Sequence, residues 1–433
     1  MARVVVGMSG GVDSSVAAAL LKEQGYDVVG IMLRLWSEPA SDSDADGAPA
    51  VENKCCSLES MADARRVAAQ LDIPFYVVNV EQPFQETIVD YFYDEYVAGR
   101  TPNPCLRCNR YIRFTLLLER ALALGADYLA TGHYVRVDDD PATGLRRLRR
   151  GASDEKDQSY VLHVLTQDQL RHALFPLGAY TKPEVRAMAA ARGLPVASKA
   201  ESQEICFVAA NDYRGFVRRY APYAQAMGRT APQPGPILDT SGARVGEHAG
   251  LAYYTVGQRK GLGIASREPL HVLQLDPARN ALVVGPAAAL ERDIFTVRQT
   301  TYPSGNVPVT ALSALKCRST PTEAEASTER PLSAGFGGAY GVADPASRSE
   351  RDRARPSERA LALRGRDTCP SFRAQVKVRY KAALVPATVT PLPEGRALVR
   401  LKQPQRAITP GQAAVFYGGA TGDEVLGGGL IEE

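Results

Sequence analysis

The sequence predicts an α/β protein: a doubly wound parallel sheet, then a small central domain, then a C-terminal β-barrel. Three observations carry this expectation. Apolar runs of strand length alternate with helical patterns through the first half, a glycine-rich loop joins the first strand to the first helix, and the C-terminal part consists of short β-rich runs between Pro/Gly turns.

In chain order, Arg3–Met8 is a continuous apolar run, and Ser14–Gln24 is an Ala/Leu-rich helix closed by Gly25. Asp27–Leu33 reads as a second buried strand, Leu58–Leu71 as a helix and Phe75–Val80 as a third strand. A further pair follows, helix Arg110–Leu124 and strand Asp127–Thr131. Ligands of such sheets bind at the carboxyl ends of the strands, here Met8–Ser15, Leu33–Trp36 and Thr131–Tyr134. Ala374–Tyr380, Leu384–Val389, Ala397–Leu401 and Ala413–Tyr417 read as barrel strands. Ser37–Asn53 and Arg318–Thr368 are small, charged and poor in apolar residues, and are expected to be disordered. At 433 residues the chain exceeds one core. Domains are expected at 1–212, 213–284 and 285–433, the last interrupted by an insertion at 318–368.

Composition narrows the function. Hydrophobic residues at 45% and charged residues at 23% exclude wholesale disorder. With 51 Lys+Arg against 48 Asp+Glu, net charge gives no general signal for nucleic acid, so such a partner needs local evidence. No apolar run approaches the length of a membrane span, and the glycine-rich loop arrives too early for a signal peptide. A soluble, cytoplasmic, monomeric protein with no membrane partner is expected. Seven cysteines, an odd number without an export signal, speak for chemistry or metal binding over a disulfide framework.

The loop Ser9-Gly10-Gly11-Val12-Asp13-Ser14-Ser15 has the means to hold phosphate. Glycines allow close backbone approach, the following helix offers unpaired N–H groups, and three serine hydroxyls add donors. Asp13 is expected to cap the helix or to hold Mg2+. The plainer reading is a helix-capping turn. No Gly-Lys-Ser/Thr follows, so it is not a Walker loop. The heptapeptide resembles the PP-loop of ATP pyrophosphatases, which implies an adenine nucleotide alpha hydrolase-like domain.

Thr101-Pro102-Asn103-Pro104-Cys105-Leu106-Arg107-Cys108-Asn109 reads as a rigid loop exposing two cysteines. Arg107, Arg110 and the next helix N-terminus are expected to activate a thiolate there. A zinc half-site competes, but no second Cys-x-x-Cys follows. Cys206, in Gln203-Glu204-Ile205-Cys206-Phe207, is weak evidence alone. Cys55-Cys56 reads as a buried pair at a helix start, with sulfur relay as the sharper alternative.

Taken together with Gly7-Met8-Ser9-Gly10-Gly11-Val12-Asp13-Ser14-Ser15, a series of motifs resembles the bacterial tRNA-specific 2-thiouridylase family. They are Gly99-Arg100-Thr101-Pro102-Asn103-Pro104, Ala130-Thr131-Gly132-His133-Tyr134, Lys156-Asp157-Gln158-Ser159, Gln203–Phe207, Gly257–Gly263, Val378-Arg379-Tyr380 and Pro410-Gly411-Gln412-Ala413. The likeness spans the chain outside Arg318–Thr368.

This resemblance implies adenylation of the C2 oxygen of a tRNA wobble uridine by ATP with Mg2+, followed by sulfur delivery from a persulfide. By position, Cys108 is the nucleophile and Cys206 the persulfide carrier, the two able to close a disulfide on turnover. Gly7, Met8, Ser9, Gly10, Gly11, Val12, Asp13 and Ser14, with Leu33 and Gly132, surround ATP. Asn103, Pro104 and Cys105 meet the target base. His133, Lys156, Asp157, Gln158, Arg379, Tyr380 and Gln412 contact tRNA. His133 has a second reading as a core histidine, and Lys156 and Arg379 as ordinary solvated charges. A sulfur donor protein, a cysteine desulfurase or a relay protein, is implied as partner. Many members have Asp where this chain has Cys105. Cys105, Cys108 and Cys206 therefore pose an alternative, a [4Fe–4S] cluster. Rival functions are an amidating PP-loop synthetase, which needs no paired cysteines, and a non-catalytic tRNA-binding iron–sulfur protein.

Overall fold

The computed structural model describes residues 1–37, 57–200, 205–208, 211–305, 307, 370–419 and 421–432. The insertion 318–368, Cys55, Cys56, Cys317 and Cys369 lie outside them, as does 38–53 of the expected acidic loop.

The first half builds a parallel sheet from β1 (Arg3–Gly7), β2 (Asp27–Arg34), β3 (Phe75–Asn79), β4 (Tyr128–Ala130) and β7 (Ala173–Leu174). Its order is β3-β2-β1-β4-β7. Val4, Val5 and Val6 at the centre are at most 1% exposed, which a continuous apolar run requires when both faces of a sheet are covered. Helix Val12–Glu23 lies on one face with Leu58–Gln70, sharing a core with Val4, Val6 and Met32. On the other face Val5 and Ile31 meet Phe114, Leu117 and Leu118.

The expected helix at Arg110–Leu124 is longer than its apolar period suggested. Pro104–Arg107 is α-helical, Cys108–Leu117 π-helical and Leu118–Ala123 α-helical again, in one unbroken run. Asn103 starts it, its side chain accepting from the Cys105 N–H at 3.1 Å, with Pro104 in the first turn. The Asn and prolines that read as loop are a helix start.

Between the first-sheet strands sits a hairpin, β5 (Val135–Asp139) and β6 (Arg146–Arg150), which the sequence reading did not anticipate. It leaves the parallel sheet and joins the barrel, pairing Arg149 with Glu424. Helix Tyr213–Ala226 lies beyond the expected boundary at 212, yet Phe216 and Tyr220 pack with Phe84, Phe92 and Phe207 of the first region. The central sheet comprises β8 (Gly235–Leu238), β9 (Arg244–His248), β10 (His271–Asp276) and β11 (Ala281–Gly285), in the order β10-β11-β8-β9.

The barrel strands are β12 (Glu291–Thr301), β13 (Phe372–Lys377), β14 (Val385–Leu392), β15 (Arg396–Arg406), β16 (Ala413–Gly418) and β17 (Glu424–Ile431). They pair in the order β12-β15-β14-β13-β16-β17, and β17 closes the ring on β12. Closure removes the sheet edges. Among the described residues no helix is long and apolar enough to cross a membrane.

Candidate active site

The phosphate loop leaves β1 at the carboxyl edge of the sheet. Ser14 Oγ accepts from the Ser9 N–H at 3.1 Å and donates to the Gly11 carbonyl, while Ser15 Oγ donates to the same carbonyl at 2.8 Å. These serines shape the loop from within. Gly10 has φ +69°, and a Cβ there would lie 2.1 Å from the Ser60 carbonyl oxygen, so no other residue fits. Gly132 is equally constrained: its Cβ would sit 2.9 Å from the Asp13 carbonyl carbon and the Ser14 nitrogen. The chain after β4 thus lies directly on the start of the first helix.

Asp13 takes neither expected role. Gly11 occupies the cap position without a side-chain bond. The Asp13 carboxylate instead accepts from Lys182 Nζ at 2.7 and 2.8 Å and from the Tyr134 hydroxyl at 2.6 Å. With both oxygens on an ammonium group, this carboxylate does not fit a resident magnesium ligand.

Lys182 is 7% exposed, and sequence reasoning missed it. A signal was available. Lys182 occupies the first turn of helix Lys182–Ala191, behind a Thr181/Glu184 capping box, where the helix dipole disfavours a cation. A buried lysine at that position is a local conflict, met here by the Asp13 carboxylate. Lys199 was missed too. Its Nζ donates to the Gly10 carbonyl at 3.1 Å, Ser60 Oγ at 3.2 Å and Asp63 Oδ2 at 2.6 Å. Arg186 fixes that segment by donating to the carbonyls of Ala197 and Lys199. Two lysine–carboxylate pairs therefore flank the loop, Lys182 with Asp13 and Lys199 with Asp63.

Cys105, Cys108 and Cys206 are present as thiols. Cys108 and Cys206 pack against one aromatic cluster that includes Trp36, Phe84, Phe92, Phe207 and Phe216. Phe207, next to Cys206, anchors its segment with ring centroids 5.2 Å from Phe92 and 5.8 Å from Phe84. The expected activation of the thiolate is modified. The Arg107 guanidinium lies 4.1 Å over the Tyr91 ring and 4.8 Å from that of Tyr111, and it donates to the Thr87 carbonyl. The helix N-terminus falls at Pro104, so Cys105, and not Cys108, occupies the first turn. Cys108 opens the π-helical stretch, a feature that recurs at functional sites.

Cys105 is exposed and faces the barrel. Burial raises the Tyr380 hydroxyl pKa, and the nearby charges of Asp157 and Cys105 raise it further, which sets these three groups in one neighbourhood. Cys108 contacts the aromatic cluster instead. Among the described residues no group of three or more His, Cys, Asp or Glu is placed to hold a metal ion. A [4Fe–4S] cluster on the three cysteines is therefore not favoured.

The expected tRNA residues divide. Arg379 is exposed and Lys156 half-buried. Asp157 is buried, accepting from the N–H groups of Gly151 and Ser159, from Ser159 Oγ and from Arg150. The Gln158 side chain accepts from the Tyr134 N–H at 2.9 Å. Both side chains brace the frame in this geometry. His133 is 6% exposed, with Nδ1 2.7 Å from Thr131 Oγ1 and Nε2 3.3 Å from Arg113. Burial, then the Arg113 charge, hold it down at about 3. It sits as a core histidine. Gln412 donates to the carbonyls of Thr101 at 2.9 Å and Pro102 at 3.4 Å. Leu33 is the penultimate residue of β2, paired with Val78 near the carboxyl edge of the sheet.

Family models match three segments: a tRNA methyl transferase HUP domain over residues 2–210, a PRC-barrel domain over 227–286 and an aminomethyltransferase β-barrel domain over 363–431. The chain is similar to the tRNA-specific 2-thiouridylase MnmA of Roseiflexus castenholzii, 44% identical over 100% of this chain and 99% of that one. It is also similar to those of Moorella thermoacetica (45%, 99% of each chain) and Chloroflexus aurantiacus (45%, 100% of this chain and 98% of that one). The domain descriptions speak of methyl transfer and the full-length relatives of thiolation; two thiols on one aromatic cluster suit the latter. On relatives that align from end to end, the chain belongs to the tRNA-specific 2-thiouridylase family.

Proposed function

We propose that this protein is an ATP-dependent tRNA sulfurtransferase that converts a wobble uridine to 2-thiouridine. The observation that carries the reading is the pairing of a phosphate loop flanked by Lys182 and Lys199 with two thiols, Cys108 and Cys206, on one aromatic wall. Full-length relatedness to 2-thiouridylases supports it.

In the first step the uridine C2 oxygen attacks the α-phosphorus of ATP and pyrophosphate leaves, turning a poor leaving oxygen into AMP. Phosphate charge is balanced by loop N–H groups and the flanking ammonium groups. Mg2+, which enters such sites largely on substrate phosphates, is assigned no ligand on this chain. In the second step the terminal sulfur of a Cys206 persulfide attacks C2, and AMP departs. The Cys108 thiolate then attacks Cys206 Sγ, the S–S bond to the new thiouridine sulfur breaks, and a Cys108–Cys206 disulfide remains. Two thiolates supply the two electrons that reduce the sulfane sulfur, and an external thiol resets the pair. The persulfide itself comes from a sulfur donor protein.

The test is an in vitro reaction with tRNA transcript, ATP and a desulfurase. Pyrophosphate release that depends on tRNA, with 2-thiouridine in the digested product, is expected. A nucleoside carrying nitrogen from added ammonia, with no 2-thiouridine, would favour an amidating enzyme.

A further inference from the structure

The seam where the barrel docks on the first region holds a lysine whose donors are not used. Val376 of β13 and Val378 just after it pack in the barrel core, so Lys377 between them stands on the outer face of the strand. Its cross-strand neighbour there is Val415, which packs with Val135, Leu148 and Tyr160 of the first region. Lys377 is 8% exposed, and its Nζ still reaches solvent. Among the described residues that nitrogen makes no hydrogen bond and no ion pair.

The carboxylates nearby are already committed. Asp157 Oδ1 accepts from the N–H groups of Gly151 at 3.1 Å and Ser159 at 3.0 Å, and Oδ2 accepts from Ser159 Oγ at 2.9 Å and Arg150 Nε at 3.2 Å. Asp154 Oδ1 accepts from Arg150 Nη2 at 2.7 Å. Arg150 therefore engages both anions, and they act on Lys377 only through space, against the repulsion of Arg150. Burial is the leading cause that holds the Lys377 pKa below the usual lysine value. Three N–H donors without an acceptor are a costly arrangement for a buried ammonium group. An anion from outside the chain removes that cost.

The surroundings say which anion. Lys156 is half-buried two residues after Asp154, and Arg379 is exposed two residues after Lys377, so cations line both sides of the seam. Tyr380 lies beside Asp157 and the exposed Cys105. We propose that Lys377 holds a backbone phosphate of the bound tRNA at the barrel seam, between Lys156 and Arg379. This rests on the reading of the protein as a tRNA-modifying enzyme. A phosphate contact fixes register and carries no base preference, so its loss weakens every tRNA substrate alike.

Lys377→Met keeps the apolar stem and removes the charge, Lys377→Arg keeps the charge, and Lys377→Gln serves if the Met variant fails to fold. Binding of fluorescent tRNA transcripts to the full chain, without ATP, is followed by anisotropy from about 50 to about 300 mM KCl. The Met variant is expected to bind about tenfold more weakly at the lower salt. Its plot of log K against log[KCl] is expected to be shallower by about 0.7–0.9, the share of one phosphate, while the Arg variant keeps the wild-type slope. Its melting temperature is expected to equal or exceed that of the wild type, because an unpaired buried charge has gone. Wild-type affinity and slope in the Met variant would overturn the proposal. Weaker binding at an unchanged slope, with a lower melting temperature, would overturn it too, as damage to the seam. A shallower slope in the Met variant of a protein whose wild type binds tRNA but never thiolates it would keep the phosphate contact and refute the functional reading.

Discussion

The phosphate loop and the cysteine loop serve one proposed reaction but are held in opposite ways. Within Ser9–Ser15 the hydrogen bonds run between residues at most five apart, and the long-range ties are two lysines and a tyrosine. The segment before Cys105 has prolines in place of local donors and is fixed by residues of the central sheet and the barrel. The lesson is one of division of labour. A loop that makes its own turn can be placed early by its own sheet, whereas one that cannot is set only when distant parts of the chain have docked.

The comparison can be broken at either loop. The largest effect is expected at the thiols: Cys108→Ser and Cys206→Ser should each lower thiolation by at least about 10^3-fold while tRNA-dependent pyrophosphate release persists. Loss of both activities together would mean the thiols also shape the adenylation site. Cys105→Asp, by contrast, should retain thiolation, since Cys105 is exposed while Cys108 and Cys206 pack on the aromatic wall.

Next comes the charge pair at the phosphate loop. Lys182→Ala should reduce pyrophosphate release about 10^2-fold, as removal of one preorganised donor does elsewhere. Asp13→Ala should act on the same step, and the double variant should show coupling of about 1–3 kcal/mol in a double-mutant cycle. Strict additivity would show that Lys182 and Asp13 act separately despite their 2.7 Å contact. Gly132→Ala should be milder, raising KM for ATP about tenfold, because its methyl group meets the Asp13–Ser14 backbone. A wild-type KM would place ATP away from that strand end.

The last effect is on stability and tests the frame under both loops. His133 and His163 are buried, and burial lowers the first to about 3 and the second to about 4, from 6.5. The unfolded chain therefore binds these protons first on acidification. Stability is full above pH 6.5 and is lost as pH falls towards the folded values. From pH 7.5 to 5 each histidine is expected to cost about 2 kcal/mol, read as a lower urea midpoint. A midpoint independent of pH over that range would contradict their burial as neutral rings.

How much was legible follows the same division. β1 and β2 emerge at nearly their predicted bounds, since buried parallel strands are continuous apolar runs, and the half-exposed edge strand β3 and the first helix do so too. The phosphate loop was legible because its residue types act locally. β17 was not among the strands read from sequence: Gly427, Gly428 and Gly429 leave it without an apolar alternation, and each is glycine because a Cβ would strike Tyr302, His163 or the Arg298 carbonyl. The β5–β6 hairpin was missed because its strands are rich in charge and poor in apolar residues, and its arginines are held by Asp138, Asp157 and Asp423. Lys182 was hidden by a helix start that looked complete, and the geometry of Gln412 by a partner no local pattern announces.

The most direct test of the central claim is nucleoside mass analysis of tRNA incubated with the purified chain, ATP and a sulfur donor. The account predicts a uridine heavier by the exchange of one oxygen for sulfur, formed only with ATP and absent with Cys108→Ser. A uridine heavier by a methyl group, or full thiolation by the Cys108→Ser variant, would contradict it.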